Sequence, residues 1–194
     1  MRCFSRFLVG VAMVAMTASA VAQGQTYGLG RTPTDEEIHR WDIAVGPEGR
    51  ELPAGKGTAE EGAQVFAQRC SACHGKTGVE GPAKVLVGGR GTIGLPNELK
   101  TVGSFWPFAT TVWDYINRAM PQRQEGSLTP DQVYAVTAFL LFRNGIIQEN
   151  DVLDAKSLPR VQMPNRNGFY PSEPVWTPGM KRTFGYYPDA EGKK

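Results

Sequence analysis

Residues 70–74 read Cys70-Ser71-Ala72-Cys73-His74. Two thiols three residues apart at the end of a helix lie one above the other on nearly one face. Each can add to one vinyl group of the same porphyrin. The imidazole directly after the second thiol then points at the iron as its proximal ligand. C-x-x-C-H is the attachment spacing of c-type haem. A thioredoxin-like redox pair, half a zinc site and a structural disulfide compete with this reading. Zinc needs further ligands, and the only other histidine is His39, while the third cysteine, Cys3, lies at the extreme N-terminus. A redox pair opens a helix after a strand, whereas this pair ends one. One covalently held haem c is therefore expected on Cys70, Cys73 and His74.

The N-terminal stretch bears on where this chemistry takes place. Arg2 and Arg6 precede a short apolar run at residues 7–16, and small residues follow to Ala20-Val21-Ala22. These are the three parts of a secretory signal peptide, predicted over residues 1–22. The competing reading is an uncleaved anchor, but the run is short for a membrane span. A soluble periplasmic mature protein is expected. The full chain has 194 residues, 21 Lys+Arg and 19 Asp+Glu, a formal charge of +2. Removing Arg2 and Arg6 with the leader makes the mature chain neutral, which gives no reason to expect a nucleic-acid or anionic-membrane partner. With 41% hydrophobic and 21% charged residues, one domain with a core is expected, not a disordered chain or a coiled coil.

Two helices must position the attachment sequence. Thr58-Ala59-Glu60-Glu61 reads as a capping box opening a helix through about Arg69. Gly62 and Phe66, four apart, share a face on which the glycine admits close approach. A second helix is predicted over residues 129–143, with Pro130 in its first turn and Gly145 after its end. Its Val136, Phe139 and Leu140 suit packing on Gly62 and Phe66. A short helix over residues 34–41 opens at Thr34-Asp35-Glu36-Glu37.

Over about residues 58–145 this arrangement resembles class I cytochrome c, in which the first and last helices cross beside the haem. The resemblance implies an all-α class I cytochrome c fold with a lead segment (residues 23–57), a cytochrome domain (58–147) and a long irregular C-terminal tail (148–194). It implies a methionine as second axial ligand, from a loop just before the last helix. Met120-Pro121 stands there, which makes His74 and Met120 the iron ligands. Met163, also followed by proline, is the runner-up, and His39 ranks below it. The carbonyl at Gly81-Pro82 is expected to accept the hydrogen bond of His74, with a simple turn as the competing reading. Arg90, Lys100, Trp106 and Trp113 lie between the two ligands and are candidates to hold the propionates.

The tail, rich in proline and aromatics, has no helical period and no alternation. Two readings stand: it wraps its own haem domain, or it lies in a groove on another protein. Here a second resemblance enters. Gly30-Arg31-Thr32-Pro33-Thr34, Trp41-Asp42-Ile43, Leu52-Pro53, Thr101-Val102-Gly103-Ser104, Trp106-Pro107, Arg118-Ala119-Met120-Pro121, Asn144-Gly145-Ile146-Ile147 and Met163-Pro164-Asn165-Arg166-Asn167-Gly168-Phe169 are similar to the cytochrome subunit of Sox-type sulfane dehydrogenases and related sulfite dehydrogenases. The match runs to about residue 171. It implies a partner subunit of the sulfite oxidase type with a molybdenum cofactor, and a soluble cytochrome c as acceptor. Sulfane-type subunits often carry two haem domains, and this chain has one attachment sequence. A single-haem sulfite-dehydrogenase-type subunit or a shortened sulfane-type one is implied.

No nucleophile–base pair and no paired acid site accompanies the haem motif. The chain is expected to move electrons singly for its partner and not to be catalytic alone. The alternative is a free-standing periplasmic carrier. A third reading, a catalytic haem protein, requires a labile or absent sixth ligand.

Overall fold

A computed structural model describes residues 29–170. The predicted leader, Met180 and the aromatic residues 171–194 of the tail lie outside the described residues.

Two units are present, divided between Asp42 and Ile43. In the first, helix α1 (Asp35–Trp41) is opened by Thr34, which accepts from the Glu37 N–H while the Glu37 carboxylate accepts from the Thr34 N–H. This is the reciprocal cap read from the sequence. Arg31 adds an ion pair to Glu37, and the pair with the Thr34 bonds holds the Glu37 carboxyl down to about 2.

The second unit is helical apart from one two-residue strand pair. Its elements are β1 (Lys56–Gly57), α2 (Ala59–Arg69), α3 (Ser71–His74), α4 (Ala109–Ala119), α5 (Pro130–Arg143) and β2 (Leu153–Asp154), followed by a 3-10 turn at Leu158–Arg160. β1 and β2 pair antiparallel, Lys56 opposite Asp154 and Gly57 opposite Leu153. Thr58 with Glu61 and Thr129 with Gln132 form capping boxes at α2 and α5. Both helices keep their predicted bounds to within a residue or two.

The crossing of α2 and α5 organises this unit. A Cβ on Gly62 would overlap the Ala135 carbonyl and lie 2.8 Å from Phe139 Cβ. The Phe66 and Phe139 rings stack at 4.9 Å between centroids. Of the three α5 residues expected at this contact, Val136 and Leu140 are buried, while the closest approach falls at Ala135 and Phe139. Residues 133–141 of α5 are buried without a break. A helix apolar all round is a core helix, covered on every side. Segments outside the two helices supply that cover. Val45, Leu52, Leu153, Leu158 and Met163 belong to the same core cluster. Asp114, buried on α4, accepts from the Val45 N–H at 2.9 Å and pairs with Arg118.

The described part of the tail packs on its own unit. Asn165 Nδ2 donates to the Phe105 carbonyl at 2.7 Å, and Phe169 meets Phe105 edge-on at 5.1 Å. Arg166 lies 5.0 Å over the Phe108 ring. No helix among the described residues is long and apolar enough to cross a membrane.

Candidate functional site

The attachment sequence folds as one tight turn. The Cys70 N–H donates to Phe66 O, so Cys70 closes α2. The amides of Cys73 and His74 then both donate to Cys70 O, at 3.1 and 3.0 Å. The two thiols therefore sit one turn apart, with the imidazole directly after the second. Gly75, at φ 74°, turns the chain out. The chain then returns onto the motif: the Ala83 N–H donates to Cys73 O at 2.9 Å. At Gly81 a Cβ would overlap that same carbonyl, so only glycine fits there.

The return also brings a carbonyl to His74. The carbonyl that faces His74 Nδ1 is that of Lys84, at 3.3 Å, and not that of Pro82. Gly81-Pro82 lies in the returning bend, two residues before Lys84.

Burial pushes the Cys70 thiol up to about 11, against the pull of the Arg69 cation. A redox pair needs a depressed thiol, so this environment speaks against the thioredoxin-like reading. No disulfide joins Cys70 and Cys73. Among the described residues, no three His, Cys, Asp or Glu side chains gather as a metal cluster.

Met120 caps the C-terminus of α4, its N–H donating to Ile116 O at 3.0 Å. It is half-buried at the rim of the core. Met163, the runner-up ligand, is 3% exposed and packed within the core. His39 lies on α1, in the other unit.

The four propionate candidates fall in different settings. Arg90 is exposed. Lys100 pairs with Glu98 at 2.7 Å and lies over the Phe105 ring. Trp106 is half-buried and meets Tyr115 edge-on at 5.6 Å. Trp113 is 1% exposed and stacks on Tyr134. Its Nε1 is the buried side-chain nitrogen among the described residues with no hydrogen-bond partner. An unpaired buried donor costs about 1–3 kcal/mol. A propionate oxygen is an acceptor of the kind it lacks.

Between the motif and α4 the chain forms a loop that leaves Val79, Ile93, Leu95 and Leu99 exposed. Asn144, the C-cap of α5, pins this loop. Its Oδ1 accepts from the Gly88 N–H at 3.0 Å. Its Nδ2 donates to Leu86 O at 3.2 Å and Leu140 O at 2.8 Å. Thr101 Oγ1 accepts from the Gly103 N–H at 3.1 Å and donates to Gly88 O, and Ser104 Oγ donates to Leu99 O at 2.6 Å. Sequence reasoning missed Asn144 as a loop anchor, because its only sequence signal, Asn before Gly145, marks a helix end. It also missed Arg69, whose Nη2 reaches Gln124 Oε1 and Ser127 Oγ in the loop after Met120.

The residues present fit a covalently attached haem. Two thiols and an imidazole share one turn, a half-buried thioether stands at the end of α4, exposed apolar side chains line the intervening loop, and a buried indole N–H lacks an acceptor.

Comparison with known proteins bears on the same point. Residues 57–140 match the family described as cytochrome c oxidase, cbb3-type, subunit III. No curated protein matches the chain. Among solved structures, the chain aligns with one from the crystal structure of the sulfane dehydrogenase SoxCD from Paracoccus pantotrophus. The TM-score is 0.69 and the identity 37%, over 87% of this chain and 94% of that one.

Proposed function

We propose, from the premise that this chain belongs to the Sox-type family of cytochrome subunits, that it is the monohaem electron-transfer subunit of a sulfur-compound dehydrogenase. It accepts electrons from a molybdenum-cofactor subunit of the sulfite oxidase type and passes them to a soluble cytochrome c. The observation that carries this reading is the reach of the likeness. At 87% of the chain it extends well beyond residues 57–140, into segments a minimal cytochrome domain does not need.

Each residue has a role in that reading. Cys70 and Cys73 would hold the porphyrin through thioether bonds. His74 and Met120 would hold the metal. The Lys84 carbonyl, facing His74 Nδ1, fixes the imidazole tautomer and raises its basicity. Trp113 Nε1, which has no partner within the described residues, would donate to a propionate. Bound haem c supplies a one-electron iron couple. With His74 and Met120 both given to the metal, no position would be left on it for a substrate. The chemistry on sulfur belongs to the partner, which withdraws two electrons from sulfite or a protein-bound sulfane sulfur, and this chain takes them one at a time. The likeness to a sulfane dehydrogenase favours sulfane sulfur. The lead segment and the part of the tail beyond residue 170 grip the partner, and residues 1–22 direct export to the periplasm.

The test is to purify the tagged protein from its native periplasm and measure haem and molybdenum together. Near-stoichiometric molybdenum with one haem per chain supports the reading. A haem-bearing monomer free of molybdenum sinks it and leaves the free-standing carrier.

A further inference from the structure

Arg69 occupies the last turn of α2, one residue before Cys70. Its side chain reaches across to a different part of the chain. From a single guanidinium nitrogen, Nη2, it donates to Gln124 Oε1 at 3.0 Å and to Ser127 Oγ at 2.7 Å. Both acceptors lie in the loop that joins Met120 to α5. The loop curls on itself: the Gln124 N–H donates to Pro121 O at 2.8 Å, and the Ser127 N–H to Gln124 O at 3.2 Å. Arg123 and Gly126 adopt positive φ, 70° and 71°. Residues 122–127 are all exposed, and no buried side chain holds the loop until Leu128. Its fastening to the helix that ends in the attachment motif is therefore polar and runs through Arg69.

We infer that Arg69 is a positioning residue for the axial methionine: it ties the loop behind Met120 to the helix that carries Cys70 and so resists displacement of the thioether from the metal. The inference rests on the reading of Met120 as axial ligand. Loop opening is the motion that lets the methionine leave, and opening breaks both Arg69 bonds. A cationic donor makes each bond stronger than a neutral one, while exposure moderates both.

The experiment uses the full-length ferric holoprotein titrated with imidazole, followed by the far-red band of methionine bound to ferric haem. An imidazole nitrogen replaces the methionine sulfur, and the oxidation state does not change. Arg69→Met keeps the apolar stem and removes both donors. It is expected to raise imidazole affinity about tenfold, the scale of two such exposed bonds. Gln124→Ala combined with Ser127→Ala removes the acceptors without touching α2 and is expected to do the same. This second variant decides the matter if Arg69→Met fails to mature. Gln124→Glu places a carboxylate opposite the guanidinium and is expected to lower the affinity. Unfolding midpoints in guanidinium separate a general structural role from this one. Wild-type imidazole affinity in either weakened variant, whatever its unfolding midpoint, overturns the inference. Failure of the ligand reading looks different: the far-red band is then missing from the wild type or survives Met120→Ala, and the role of Arg69 falls with it.

Discussion

Gly62 lies so close to Ala135 that a Cβ on it would overlap the Ala135 carbonyl oxygen. The two helices that frame the attachment motif meet at this point, and the neighbour is backbone, which cannot swing aside. Gly62→Ala is expected to destabilise the protein by about 3 kcal/mol, the upper range for overpacking a core. Denaturant unfolding of the variant checks this, and an unchanged midpoint would mean that the helices separate freely.

Asn144 joins α5 to the loop through two hydrogen bonds, to Gly88 and Leu86, and makes a third back to Leu140 within α5. Asn144→Ala is expected to cost about 2 kcal/mol, since Leu86 and Gly88 lose a partner that water replaces in part. Amide exchange at Gly88 is expected to quicken more than exchange within α5. Equal acceleration in both places would make Asn144 a helix cap alone.

Some of this was legible in the sequence and some was not. The capping boxes at Thr34 and Thr58 and the start of α5 were legible because a cap is local, written within four residues. The Gly62–Phe66 face was legible from helical spacing. Arg69 was not, because its acceptors stand 55 and 58 residues away and carry no motif of their own. Leu153, Leu158 and Met163 are buried without any period, because an irregular segment places side chains one at a time. The Lys84 carbonyl that faces His74 was not legible, because spacing alone does not say which carbonyl of a returning loop comes nearest.

Glu37 titrates far below an ordinary carboxylate, at about 2, because Arg31 and the Thr34 backbone hold its charged form. A depressed folded value means that its contribution to α1 is present above the unfolded value and is lost as pH falls through the folded one. The lead helix is therefore expected to keep its cap through mild acid, down to about pH 2. A carboxyl-detected NMR titration reads this directly, and Arg31→Ala is expected to move the midpoint upward. A midpoint near an ordinary glutamate in the wild type would remove the ion pair from solution.

Replacing the proposed axial thioether separates an electron carrier from a catalytic haem protein. Met120→Ala is expected to abolish the far-red band of ferric haem, to lower the reduction potential and to leave the haem attached, because Cys70 and Cys73 are untouched. Met163→Ala is expected to preserve the band and instead to destabilise the fold by about 2–5 kcal/mol, as truncation of a buried methionine does. The opposite pattern would exchange the roles of the two methionines.

The most direct measurement is anaerobic reduction of the purified native complex, with haem absorbance followed as the sulfur substrate is added. The expected result is rapid reduction of one haem per chain by sulfite or by protein-bound sulfane sulfur, with reoxidation by a soluble cytochrome c. A haem that stays ferric with both substrates, in a preparation that contains molybdenum, would contradict the assignment of this chain as the electron acceptor of a sulfur-compound dehydrogenase.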